Sequence, residues 1–337
     1  MLAAVLFAVI CGVQAVPPGA SPGPGVRYAT DAFPGFDSES ELITPSRKEP
    51  RWFNWLNGPD AKTPVDQLAH ARALEVAGDW KGAAQAYDAL VREWPTEAEA
   101  PLAQKALADL CLGRLLDYER AFREYRYLLD FYSTQCDYDA VSETLYKTAE
   151  LMRDEGKSVM FFHFDNTVDV RRAYEAVVLR APGAAFAPSA MLTIASLRED
   201  EDRPETAVTV YENLRNLHPG SPEADEALYR ESKARMKVLR RCEYNRSRVQ
   251  DTIDFYRMAI ASGRLGAERK EEVTDLFREA KALIEEEAFA AAKFYDSRTR
   301  TRRSAIDAYE RFLNESPASD RAPEVRRRLF ELQEAGK

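Results

Sequence analysis

The sequence contains little of what catalytic and metal-binding proteins need. Its 337 residues include 3 His and 4 Cys, and these form no metal-ligand spacing. No nucleophile elbow and no phosphate-cradling glycine loop is present. We therefore expect no catalytic residue, no cofactor, no metal ion and no enzymatic activity. Gly and Pro, at 15 and 18, are too few for a collagen-like or wholly disordered chain.

Basic residues are in the minority as well. There are 47 Lys and Arg against 56 Asp and Glu, and the net charge is −9. Because phosphates bind to a concentrated positive field, we expect no nucleic-acid partner. The length and the 45% hydrophobic content allow two or three ordinary domains or one elongated repeat array.

The N-terminal residues have the pattern of an export signal. Residues 2–13 are almost entirely apolar, but they are too few to cross a bilayer core of about 30 Å as a helix. Val13 and Ala15 are the small residues that a signal peptidase requires, so we predict a signal peptide over 1–15 with cleavage between Ala15 and Val16. Two alternatives stay open: an uncleaved anchor, and a lipoprotein lipidated at Cys11, although Ile10 stands where a small residue is expected.

The next two segments differ in composition. Residues 16–50 are rich in Pro, Gly and Ser, and show no helical or strand period, which predicts a flexible tether. Residues 51–62 begin with Trp52, Phe53 and Trp55. Such an aromatic cluster either caps the open end of the following fold or docks a partner protein.

From residue 63 to residue 337 the apolar spacing is helical, and one motif recurs. A small residue is followed four positions later by Tyr and eight positions after that by Pro, with some copies incomplete. The copies are Ala83, Tyr87 and Pro95; Ala121 and Tyr125; Tyr174 and Pro182; Ala207, Tyr211 and Pro219; and Ala305, Tyr309 and Pro317. The gap between the last two copies predicts a degenerate unit with Tyr256.

This motif predicts a helical hairpin. The small residue lets two helices approach closely, and Tyr lies on the same helical face one turn later. Pro then ends the second helix. Since one hairpin cannot bury its apolar stripe alone, the hairpins must stack, so we predict an all-α solenoid of about five to six irregular repeats.

The motif resembles the tetratricopeptide repeat. The order of export signal, tether and irregular repeats is similar to the BamD family of outer-membrane β-barrel assembly lipoproteins. Residues 288–295 (AFAAAKFY) and 303–317 (RSAIDAYERFLNESP) carry the closest likeness.

The resemblance implies a non-catalytic scaffold in the periplasm, at the inner face of the outer membrane, held there by a lipid or by a partner. Its N-terminal repeats would receive unfolded outer-membrane proteins, and its C-terminal repeats would bind the barrel-inserting subunit. The alternative is another periplasmic tetratricopeptide adapter, linked to the Tol system or to cell-wall synthesis.

Three smaller features complete the expectations. Arg302 and Arg303 belong to a basic C-terminal end, which is either a solvated helix face or a docking patch for an acidic partner. Residues 199–202 (EDED) predict a water-exposed turn. The remaining cysteines, Cys111, Cys136 and Cys242, are expected to be free thiols, because the first two should lie on the order of 15 Å apart.

Overall fold

The structure, a computed structural model, describes residues 33–38, 42–49, 58–158, 166–241, 244–297 and 302–334. These residues form 13 α-helices and no strand. The all-α class predicted from the sequence is therefore confirmed. The chain divides into two compact units, unit 1 (Met1–Glu223) and unit 2 (Ala224–Lys337).

Unit 1 contains four helical hairpins, and each helix packs on the next one along the chain. A π-helical turn at Cys111–Leu115 follows α3, and a 3-10 turn at Ser133–Gln135 follows α4. The helices of the unit are α1 (Pro64–Val76), α2 (Trp80–Glu93), α3 (Glu99–Leu110), α4 (Tyr118–Tyr132), α5 (Tyr138–Ser158), α6 (Asn166–Arg180), α7 (Ala187–Asp200) and α8 (Pro204–Leu217).

Unit 2 contains a fifth and a sixth hairpin and a final helix. Its helices are α9 (Pro222–Arg241), which begins at the boundary between the units, α10 (Arg246–Ala261), α11 (Ala267–Asp296), α12 (Arg302–Glu315) and α13 (Ala322–Glu334). One core cluster joins α9, α10 and α11 around Tyr256. A second joins α11, α12 and α13 around Tyr309 and Phe312.

The motif residues occupy equivalent places in the hairpins. The small residues Ala83, Ala121, Ala207 and Ala305 are fully buried, and Val170 and Thr252 stand at the same position in the third and fifth hairpins, also buried. All six tyrosines, including Tyr256, are buried. Each motif proline stands two residues beyond the end of a second helix: Pro95 after α2, Pro182 after α6, Pro219 after α8 and Pro317 after α12.

Gly78 shows why the first copy of the motif carries a glycine. It follows α1 with a φ of 82°, a backbone conformation that side chains disfavour. Asp79 then caps α2, since its carboxylate accepts a hydrogen bond of 2.9 Å from the Gly82 N–H. The turn therefore reverses the chain sharply enough for α2 to pack back on α1.

Most of the tyrosine hydroxyls are paired as well as buried. In four hairpins the hydroxyl donates to a carboxylate near the end of the first helix: Tyr87 to Glu75, Tyr125 to Asp109, Tyr211 to Glu199 and Tyr309 to Asp296, at 2.6–3.1 Å. Tyr256 donates instead to the Ser232 carbonyl. Among the described residues, no partner lies within hydrogen-bond distance of the Tyr174 hydroxyl.

This difference predicts opposite effects of removing the hydroxyl. Tyr87→Phe should lower the free energy of unfolding by about 1 kcal/mol, because a hydrogen bond to Glu75 is lost. Tyr174→Phe should leave stability unchanged or raise it slightly, since it removes an unpaired buried hydroxyl. Urea unfolding of both variants measures the difference, and equal losses would contradict the pairing.

Candidate functional site

Two parts of the predicted tether lie against the helices of unit 1. Residues 33–38 and 42–49, called the N-terminal segment below, form neither helix nor strand but contact α2, α3, α4, α6, α7 and α8. Phe33 and Ile43 are buried. For these residues the structure differs from the expectation of a flexible tether, because pairs of charges, and not an apolar period, hold the segment.

The first charged contact is an acid pocket around Asp37. The Asp37 carboxylate lies 2.9 Å from Arg171 and 3.2 Å from Arg198, with Arg172 at 3.3 Å. The Asp37 backbone N–H donates to Glu175. One residue of the segment is thus bound through both its side chain and its main chain by α6 and α7.

The arginines of the acid pocket are held in place by other carboxylates. Arg171 and Arg198 are each 2% exposed, and Arg171 donates to Glu175 and Glu201 at 2.6 Å. Fixed guanidinium groups lose little freedom when a carboxylate binds. The acidic turn 199–202 is therefore not simply water-exposed as predicted, since Glu201 pairs with Arg171 and Arg198, and Glu199 accepts the Tyr211 hydroxyl.

The pKa of Asp37 is lowered to about 2: burial alone would raise it, but the hydrogen bond and charge of Arg171 and the charge of Arg198 outweigh that effect. An unfolded Asp has a pKa of about 3.9. A carboxyl with a depressed pKa stabilises the folded state above the unfolded value and loses that contribution as the pH falls toward 2.

We therefore expect Asp37→Asn to lower the free energy of unfolding at pH 7 and to make progressively less difference as the pH falls from about 4 toward 2. Urea unfolding of wild type and variant at pH 7, 4 and 3 measures this. A gap between the two proteins that does not depend on pH would show that Asp37 is not paired.

The second charged contact is a lysine pocket. The Lys48 ammonium lies 2.7 Å from Asp88 of α2, 2.5 Å from Glu124 of α4 and 3.2 Å from the Gln104 side-chain oxygen of α3. It also lies 5.2 Å from the centre of the Tyr127 ring, within range of a cation–π contact. Burial alone would raise the pKa of Asp88, but Lys48 and Arg92 lower it.

The helices also bind the main chain of the segment. Four of its carbonyl oxygens accept side-chain hydrogen bonds: Pro34 from Asn213, Gly35 from Arg198, Leu42 from Arg180 and Glu49 from Arg92. Their order runs from α8 back to α2, so the segment runs opposite to the order of the hairpins. Contacts to carbonyl groups place few demands on sequence and suit polypeptides in general.

The segment lies on one face of the helices. In each hairpin, the residue directly after the motif tyrosine belongs to the corresponding face. This residue is charged in every hairpin. Asp88, Arg126 and Glu175 of the first three hairpins are buried, whereas the corresponding residues of the last three are exposed: Glu212, Arg257 and Glu310. The contacts of Asp88 and Glu175 show that the segment contributes to this burial.

An open cleft of about 710 Å³ adjoins the acid pocket. It is lined by Asp37 and Ser38 of the segment and by residues of the helices that include Val168, Arg172 and Arg203. The edge of the acid pocket is therefore accessible to solvent.

Several predicted site residues lie outside the described residues. These are Ala15 and Val16 of the cleavage site, Cys11, Cys242 and the aromatic residues Trp52, Phe53 and Trp55. The remaining thiols are free as expected, with Cys111 buried and Cys136 half-buried. Burial raises the pKa of the Cys111 thiol to about 11, which makes it a poor nucleophile.

The basic C-terminal end of unit 2 has two kinds of arginine. Arg302 donates to the Leu332 carbonyl, Arg321 pairs with Glu286, and Arg328 pairs with Asp296 and Glu331. These side chains tie α11, α12 and α13 together. Arg303, Arg326 and Arg327 are exposed, as Arg328 is, and Arg326 donates to the Pro317 carbonyl.

Neither a membrane-spanning helix nor a metal-binding group is found among the described residues. None of their helices is long and apolar enough to cross a membrane. Their His, Cys, Asp and Glu side chains form no group of three that could hold a metal ion.

Comparisons with known proteins agree with the hairpin geometry. The tetratricopeptide repeat model matches residues 189–221, which span α7, α8 and the turn after them. This hairpin is similar to a tetratricopeptide repeat in sequence. The other hairpins share its buried tyrosine and helix order, so the described chain has the fold of a tetratricopeptide-repeat protein.

Two further comparisons add no functional information. A crystal structure of a tetratricopeptide repeat protein from Parabacteroides merdae ATCC 43184 is 14% identical over 80% of this chain and 98% of its own, with a TM-score of 0.28. That score is too low to compare helix placement. The search of curated proteins found no significant match.

Tetratricopeptide repeats mediate protein–protein interactions, so the general function that the fold supports is that of an interaction scaffold.

Proposed function

We propose that the protein is a non-catalytic scaffold of the machinery that assembles β-barrel proteins in the outer membrane. It would work in the periplasm, at the inner face of that membrane, after export directed by residues 1–15. The residues that resemble the BamD family and the apolar N-terminal run support this proposal. Unfolded outer-membrane proteins and the barrel-inserting subunit would be its partners.

The observation that carries the proposal is the face of unit 1 that holds the N-terminal segment. This face binds a polypeptide without helix or strand through main-chain carbonyl groups and through two charged pockets. A chain on its way to becoming a barrel is unfolded when it is received, so a carrier must recognise main chain more than a fixed surface. Side-chain donors aimed at carbonyl groups suit that task.

The exposed arginines of unit 2 are the proposed contact with the barrel-inserting subunit. Arg303 and Arg327 lie on α12 and α13, and both are exposed. Reversing both charges, Arg303→Glu with Arg327→Glu, should reduce recovery of the partner while leaving the helical circular-dichroism spectrum unchanged. Arg248→Glu on α10, which reverses another exposed arginine of the same unit, is the control. Unchanged recovery at low salt would count against this contact.

Affinity capture of the tagged full chain from the membranes of its own organism, followed by mass spectrometry, tests the proposal. Co-purification of the barrel-inserting subunit supports it, whereas Tol components in its place would support the alternative adapter function. Fractionation of the same cells shows whether the protein is exported. A lipid label that is sensitive to globomycin decides between lipidation at Cys11 and cleavage after Ala15.

A further inference from the structure

We propose that the face of unit 1 is a polypeptide-binding site for which the N-terminal segment, residues 33–38 and 42–49, is the resident, exchangeable ligand. A partner polypeptide would occupy it by bringing a carboxylate to the acid pocket and a lysine to the lysine pocket. This proposal rests on one premise of the proposed function, namely that the face binds polypeptides.

The pockets show that the site recognises charge. The acid pocket presents three guanidinium groups to one carboxylate, and two of them, Arg171 and Arg198, are 2% exposed and already oriented by Glu175 and Glu201. The lysine pocket presents carboxylates from two different hairpins to one ammonium. Charges of opposite sign at two fixed places define both the identity and the direction of the chain that binds.

The contacts of the segment are of a kind that allows exchange. Of its 14 described residues, only the hydrophobic Phe33 and Ile43 are buried. Its other contacts include hydrogen bonds and ion pairs, which water can replace, and cation–π contacts of Arg47 with Phe131 and of Lys48 with Tyr127. A segment held in this way can leave and rebind without unfolding of the helices beneath it.

The spacing of the two charges gives the chemistry of the partner. Lys48 stands eleven residues after Asp37, and Ile43 between them is 1% exposed. A competing polypeptide therefore needs Asp or Glu, an aliphatic residue about six positions later and Lys about eleven positions later. The carbonyl contacts leave the other positions free to vary. The covalent segment is present at a high effective concentration, so it should keep weak ligands out.

A cleavable version of the full chain tests this directly. A specific protease site is inserted between Pro59 and Asp60, where the backbone is irregular and Asp60 is exposed. The protein folds intact and is then cut, so that the segment is held without a covalent link. A fluorescent synthetic peptide of residues 33–49 is added before and after cleavage, and its anisotropy is measured.

We expect the peptide to bind the cleaved protein at least about 10-fold more tightly than the uncleaved one. A peptide with Asp37→Arg and Lys48→Glu should not compete, whereas one with Ser46→Ala, at an exposed position, should compete like the original. Equal binding before and after cleavage, competition by the charge-reversed peptide, or failure of the cleaved protein to exchange its segment would each overturn the proposal.

The assay uses purified protein and peptides alone. Exchange in this assay together with capture of Tol components would retain the site and reject the barrel-assembly function. If the segment does not exchange but the barrel-inserting subunit is captured, the barrel-assembly function is retained and the exchangeable site is rejected.

Discussion

Arg180→Ala is expected to lower the free energy of unfolding of unit 1 by about 3–5 kcal/mol. The side chains of Arg180 and Asp130 are 0% and 1% exposed. They form two parallel hydrogen bonds of 2.8 Å, and Arg180 also donates to the Ala176 carbonyl. Removing the guanidinium leaves the Asp130 carboxylate buried, with Arg126 at 4.0 Å as the next cation.

Two further variants separate this effect from a general loss of packing. Arg180→Met combined with Asp130→Leu should recover much of the lost stability, because neither member of the Arg180–Asp130 pair is left buried without the other. Lys105→Ala removes one member of a pair that is about half exposed, and should cost less than about 1 kcal/mol. Urea unfolding followed by tryptophan fluorescence measures unit 1, since all four Trp lie at residues 52, 55, 80 and 94. A loss below about 1 kcal/mol for Arg180→Ala would contradict the buried pair.

Tyr87→Ala and Tyr309→Ala should each cost roughly 3–5 kcal/mol. Tyr87 and Tyr309 are 1% and 2% exposed, and each fills the space between the two helices of its hairpin. Deleting either ring leaves a cavity and removes the hydrogen bond from its hydroxyl to the Glu75 or Asp296 carboxylate.

The two variants act in different units and therefore need different measurements. Urea unfolding followed by tryptophan fluorescence measures the loss of stability in Tyr87→Ala. Urea unfolding followed by circular dichroism measures it in Tyr309→Ala. Tyr244→Ala is the matched control, because that ring is 45% exposed and should cost less than about 1 kcal/mol. Motif tyrosines no more sensitive than Tyr244 would mean that the hairpins do not pack through them.

The hairpins could be predicted from the sequence because their contacts are local. A small residue and a Tyr four positions apart lie on one face of one helix. The proline stands two residues beyond the end of that helix, so the whole motif lies in one short stretch of chain. Even the degenerate fifth hairpin was located by the gap between Tyr211 and Tyr309, and Tyr256 is fully buried there.

The docking of the N-terminal segment could not be predicted in this way. Its contacts join residues 40 to 179 positions apart, such as Lys48 with Asp88 and Asn213 with Pro34. Most of them depend on one charged residue, and single charges have no period. The charged residue after each motif tyrosine was the available signal, but Glu175 and Glu212 have the same charge in the sequence while the first is buried and the second exposed.

A double-mutant cycle between Lys48 and Glu124 tests most directly whether the N-terminal segment is bound on the face of unit 1. Lys48→Met and Glu124→Gln keep the side-chain volume and remove the charges. The free energies of unfolding of the two single variants, the double variant and the wild type then give the coupling energy. We predict about 1–3 kcal/mol, against less than about 0.5 kcal/mol for the exposed pair Lys105 and Asp109. A coupling energy of zero between Lys48 and Glu124 would show that the segment does not lie on this face.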